Sequence, residues 1–224
     1  MEEINYSKMS TMGLEELGTG LHATVYKYKD IAIKVYNNSN VVITKEIFES
    51  LKEIKLNAFL DLIDCAYYPY FWLEDDYIKS YSYKYVDKSD TKCIDMPLEY
   101  TLNSLYELER VMKRLNELKI KIIDAHGENC IPTNNNIVII DPDRFEFSST
   151  SVEINNLKQI KKYVYDLWIN ECEQKLNNAE STMIMHIFDN ESIDECITNF
   201  SKKVKEKTPR DVIDKCLSKG YIYF

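Results

Sequence analysis

The residues with the clearest chemical content are Asp124, Asn129 and Asp141. They stand in Ile122-Ile123-Asp124-Ala125-His126-Gly127-Glu128-Asn129 and, twelve residues after Asn129, in Ile140-Asp141-Pro142-Asp143. Metal-dependent phosphoryl transfer needs a carboxylate to orient an attacking hydroxyl, and oxygen ligands from separate loops to hold Mg²⁺ on phosphates. Singly, such residues are turn formers; in this order, after a long helix and around a short apolar strand, they make a set. Asp143 is a second candidate ligand, with helix capping or an ion pair to Arg144 as the alternative. His126 would stabilise transferred charge or hydrogen-bond within its loop.

Two further pieces lie nearer the N-terminus. Leu17-Gly18-Thr19-Gly20-Leu21-His22-Ala23-Thr24-Val25 is a G-x-G-x-x-A turn followed by valine. Its glycines would let backbone N–H groups approach phosphates, and they would equally make a plain hairpin turn. A strand follows where a dinucleotide-binding turn requires a helix, so that reading is set aside. His22 would touch phosphates or be solvated. Lys34, nine residues after Val25 in Ala32-Ile33-Lys34, falls on the strand face opposite Ile33. A strand lysine is ordinarily solvated. As a phosphate ligand it would need a carboxylate from Glu46, Glu49 or Glu53, and spacing favours Glu46.

The elements that must position these residues follow from periodicity. Thr24–Tyr28 and Ile31–Tyr36 read as strands around a Lys29-Asp30 turn, with Ile47, Phe48, Leu51 and Ile54 at helical spacing between Thr44 and Leu60. An aromatic strand ends near Val86, with Tyr81, Tyr83 and Tyr85 on one face. Leu102, Leu105, Leu108, Val111, Met112, Leu115 and Leu118 mark a long helix, and Ile137–Ile140 a short strand after an Asn134-Asn135-Asn136 turn. Leu157, Ile160, Val164, Leu167 and Trp168 mark another helix. Ser192 with Glu195 opens a third, and Thr208-Pro209 with Gly220 brackets the last. The expected organisation is a β-rich lobe over 1–86 and a mainly helical lobe over 87–224.

Among 224 residues, 37 acids against 28 Lys and Arg give a net charge of −9, the wrong sign for a nucleic-acid binder. The six cysteines have no CxxC pair and there are three histidines, so a zinc site is not expected and the thiols read as reduced. No apolar run is long enough to cross a bilayer and the first residues lack a secretory pattern, which leaves a cytoplasmic protein without a membrane partner as the expectation.

These motifs resemble those of a compact protein-kinase-like phosphotransferase over residues 14 to 170. The resemblance implies an α+β, bilobal kinase fold using ATP and Mg²⁺. Gly18, Thr19, Gly20, Val25, Ala32 and Lys34 would hold the nucleotide, together with Tyr83 and Tyr85 in the strand that meets adenine. Lys34, Glu46, Asp124 and His126 would form the catalytic set, and Asn129, Asp141 and Asp143 would bind metal. Ala23 replaces the third glycine, Ile122-Ile123 replaces His-Arg before the catalytic aspartate, His126 stands where a lysine is usual, and no Ala-Pro-Glu follows. These departures resemble atypical and small-molecule kinases. The implied activity is a small atypical Ser/Thr protein kinase; the alternatives are an aminoglycoside- or choline-type kinase, or a pseudokinase that binds nucleotide or a partner.

Overall fold

Alternation in Ile31–Tyr36 puts Ala32, Lys34 and Tyr36 on one buried face, as expected for a strand covered on that side. The computed structural model describes residues 13–37, 43–67, 78–172 and 207–219, with a few positions between 184 and 198. In it this strand, β3, is the centre of a five-stranded antiparallel sheet. The order is β1-β2-β3-β5-β4, with β1 Glu15–Thr19, β2 Ala23–Tyr28, β4 Leu62–Tyr67 and β5 Ile78–Lys84. Lys29 takes a left-handed φ of 57° in the β2–β3 turn.

Helix α1 (Lys45–Lys52) starts where Thr44 accepts the Ile47 N–H, and it buries Ile47, Phe48 and Leu51. Phe48 meets Tyr81 of β5 with ring centroids 6.1 Å apart. The helix is shorter than the apolar spacing implied: Glu53 caps it, and Ile54 turns back through a 2.9 Å hydrogen bond from its N–H to the Leu51 carbonyl. Ile54 is still buried, so the period reported burial and not helix length.

The chain divides into two compact units, residues 1–55 with 60–86 and residues 56–59 with 87–224. The expected boundary therefore misses Leu56–Phe59, which packs with the second unit. There Phe59 bridges Ile139 in parallel, and the Ile139 N–H donates to the Ala58 carbonyl at 3.0 Å.

In the second unit α2 (Leu98–Glu117) buries Leu105, Leu108, Val111 and Leu115, and α3 (Glu153–Glu171) buries Ile160, Val164, Leu167 and Trp168. Two short antiparallel pairs link them, β6 (Ile120–Lys121) with β9 (Glu146–Phe147) and β7 (Cys130–Pro132) with β8 (Ile137–Ile139). Ser104 ties α2 to β8, donating to the Tyr100 carbonyl and accepting the Ile137 N–H. Helix α4 (Pro209–Lys219) opens with reciprocal bonds between Thr208 and Asp211, and Ser192 accepts the Glu195 N–H. The class is thus α+β. The aromatic run 68–77, the segment 173–183 and Gly220 lie outside the described residues. Among the described residues Cys93, Cys130 and Cys172 carry free thiols, and no helix is long and apolar enough to cross a membrane.

At the end of α3, the Glu171 carboxylate accepts the Ile94 N–H at 2.8 Å, and burial raises its pKa above the ordinary carboxylate value. The folded state therefore holds this proton more tightly than the unfolded chain, so the group's contribution to stability declines as pH rises from the unfolded pKa through the folded one. Glu171→Gln keeps an oxygen for Ile94 and removes that decline. In urea unfolding it should match the parent below about pH 4, where the unfolded carboxyl is protonated, and be the more stable of the two at pH 7.

Candidate functional site

In the first unit, strand register assembles one row. Gly18 pairs with Val25, Val25 with Lys34, and Lys34 with Tyr81. Directly paired residues of an antiparallel sheet share a face. Ala32 lies on the same face as Lys34, paired to Tyr83. Lys34 is only 7% exposed, with Nζ 5.7 Å from the centre of the Tyr36 ring, so the solvated-strand reading does not hold for it. Leu21 of the glycine loop is 84% exposed. His22 is half-buried instead of being a solvated tip; its carbonyl accepts the Asn37 N–H, and its Nδ1 is buried without a partner. Thr19 donates to Glu16 at 2.7 Å, and the Gly20 N–H to the Ala23 carbonyl at 2.8 Å.

Glu46 and Glu49 both lie on the exposed side of α1, and the pattern of burial does not choose between them. Tyr83 is buried in the sheet. Tyr85 donates its N–H to the Asp30 carbonyl at 2.8 Å, and its ring is covered by Lys27 Nζ at 3.6 Å. That N–H is thus committed within the unit, a cost to the expected adenine contact that the strand pattern did not reveal.

In the second unit, Asp124, Asn129 and Asp141 come together through Asn129. Its Nδ2 donates to the Asp124 carbonyl at 3.1 Å, and its own carbonyl accepts the Ile140 N–H at 2.9 Å. Asp141 Oδ1 accepts the Asp143 N–H at 3.2 Å, closing a tight turn over Pro142. Arg144, weighed from the sequence as a partner for Asp143, pairs with Asp124 at 3.4 Å. His126 is half-buried at the start of the 3-10 turn Gly127–Asn129.

Asp124 itself is exposed and left-handed, at φ 61°. Such backbone costs an L-residue up to about 1–2 kcal/mol, less for Asp than for most, and is held where its neighbours over-determine it. Helix α3 does this from both sides. Asn156 Oδ1 accepts the Ile122 N–H at 2.8 Å, and Asn155 Nδ2 donates to the Ile122 carbonyl at 2.8 Å. Gln159 Oε1 accepts the Ala125 N–H at 3.1 Å, while Lys162 Nζ donates to the Ala125 carbonyl and pairs with Asp166. Asn156 also donates to the Ile120 carbonyl and to Asn116 Oδ1, both at 2.8 Å. Gly127 lets the loop lie directly on the helix, since a Cβ there would sit 3.0 Å from the Leu167 nitrogen and 2.8 Å from Asn170 Nδ2.

Sequence reasoning missed this support. The signal was present: Asn156 falls on the apolar stripe four residues before Ile160, and Gln159, Lys162 and Asp166 run beside it at helical spacing. Beneath the loops Tyr163 is buried with no partner for its hydroxyl. Burial first, then Cys130, Asp141 and Asp124, push its pKa well up. Burial likewise raises the Cys130 thiol well above its ordinary value, as in a small core residue.

Among the described residues no three His, Cys, Asp or Glu side chains form a metal cage. Asn129 and Asp141 on tethered loops fit instead a cation such as Mg²⁺, which takes one or two protein oxygens, water and substrate phosphates. No protein-family model matches the chain, and no curated protein matches it.

If α3 holds the loop as described, Asn156→Ala strands the Ile122 N–H and Ile120 carbonyl and should cost about 3 kcal/mol in urea unfolding. Gly127→Ala should cost about 1–3 kcal/mol by forcing the loop off the helix. Parent-like stability in both variants would show that the loop does not depend on α3.

Proposed function

We propose that the chain is an ATP-dependent phosphotransferase that moves the γ-phosphoryl group to a hydroxyl. The observation that carries the reading is the double tether of Asn129, which gathers an exposed, backbone-fixed carboxylate and a second carboxylate at one loop cluster. Asp124 is the group that accepts or steers the acceptor proton, and its exposure suits contact with a substrate. Asn129 and Asp141, with Asp143 as a further oxygen, would hold Mg²⁺, which when bound neutralises phosphate charge. In the first unit Gly18, Thr19 and Gly20 offer backbone donors, and Lys34 offers a cation on the Val25 and Ala32 face. The Asp124 geometry favours an enzyme over a pseudokinase, because a binding module has no use for a strained, exposed carboxylate.

A Ser or Thr hydroxyl of a protein is the acceptor in the leading reading. A specific observation favours a small-molecule hydroxyl as the second. Strand β9 ends at Phe147 and α3 begins at Glu153, leaving five residues between them. Ser148 in that span already donates its N–H to the Lys119 carbonyl, so little chain is left for a peptide-docking platform.

Transfer of label from γ-labelled ATP into a lysate, separated into protein and small-molecule fractions, tests both readings. Asp124→Asn should keep Mg·ATP binding in calorimetry and lose turnover by about 10²-fold or more. Label on protein supports the first acceptor class, and label confined to a small molecule supports the second. No label in either fraction, with no heat of Mg·ATP binding, would overturn the proposal.

A further inference from the structure

Asp124 meets a cation whose identity the loop sequence does not announce. Arg144 Nη1 lies 3.4 Å from Asp124 Oδ2, with the two side chains 49% and 47% exposed. Arg144 directly follows Asp141-Pro142-Asp143, and the Phe145 N–H closes a turn onto the Pro142 carbonyl at 2.9 Å. Two lysines near this loop have different partners. Lys162 binds the Ala125 carbonyl and Asp166, and Lys121 faces Glu146 across the β6–β9 pair.

A half-exposed ion pair contributes little and exchanges partners readily. Asp124 is fixed through its backbone, while Arg144 reaches it along a flexible side chain, so the arginine is the partner free to change. Guanidinium is permanently charged and presents paired N–H donors that match phosphate oxygens. Resting on the Phosphotransferase reading above, we propose that Arg144 is a catalytic residue that exchanges Asp124 for the phosphoryl group in transit. In the resting state it covers the Asp124 carboxylate. When the acceptor hydroxyl approaches, its proton passes to Asp124, its oxygen bonds to the γ-phosphorus, and the bond from that phosphorus to the β–γ bridging oxygen breaks with its electron pair left on ADP. Arg144 then pairs with the equatorial oxygens of the group being transferred, as supplied arginines do in other phosphoryl transfers.

The test compares parent, Arg144→Ala and Arg144→Lys in calorimetric titrations with Mg·ADP alone and with aluminium fluoride, and in steady-state kinetics. Arg144→Ala should bind Mg·ADP within about twofold of the parent, lose the tighter binding that aluminium fluoride confers, and lose kcat by at least about 10²-fold with little change in the KM for ATP. Arg144→Lys should recover only part of kcat, and added guanidinium should partly restore the alanine variant. An alanine variant that keeps parental kcat and parental aluminium-fluoride tightening, or that gains activity, would overturn the role of Arg144 while leaving the phosphotransferase reading intact. A parent that binds no Mg·ADP would overturn both.

Discussion

The hydrogen bonds that α3 makes to the loop 120–125 are the constraint on which the placement of Asp124, Asn129 and Asp141 depends. The N–H and the carbonyl of both Ile122 and Ala125 are met by side chains of one helix, so the residues between them have little freedom. Asp124 can then hold a left-handed conformation that an isolated loop would leave. A rigid helix supporting a strained polar loop is a common way to fix a reacting group without burying it. The same helix receives Gly127, so the turn to Asn129, and through Asn129 the approach of Asp141, are set from α3 as well.

The first unit solves a different problem, which is to place a charge against a sheet. Lys34 sits on the buried side of the central strand, among Tyr36, Tyr81 and Ala32, and this is expensive ground for an ammonium group. The register fixes its position relative to Gly18 and Val25 independently of side-chain rotamers. Aromatic contacts of Tyr81 with Tyr36, Phe48 and Tyr83, at 5.8 to 6.1 Å between centroids, stiffen the same face.

Elements with a strong local period were legible in the sequence. The β2–β3 turn, the long stripe of α2 and the caps at Thr44 and Thr208 follow from residue type and spacing. Legibility failed where tertiary contacts decide. Ile54 continues a helical spacing after the helix has ended, and Leu56–Phe59 joins a unit whose remaining chain starts only at Asp87. Residue types and order singled out Asp124, Asn129 and Asp141, and the bonds of Asn129 to the Asp124 carbonyl and from the Ile140 N–H bring these stretches of chain into one loop cluster. The polar side of α3 and the Arg144–Asp124 pair were hidden, since a mid-helix asparagine and a surface arginine have many ordinary explanations and only distance separates them.

The central claim is that Asn129 and the Asp141 turn hold a divalent cation on a nucleotide beside Asp124. Paramagnetic broadening of amide resonances tests it most directly, with Mn²⁺ in place of Mg²⁺ and a non-hydrolysable ATP analogue bound to the full chain. The account predicts nucleotide-dependent broadening centred on Asn129 and Ile140–Asp143, and reaching Asp124. Broadening that is independent of nucleotide, or centred on acidic residues elsewhere while 124–143 stays sharp, would contradict it.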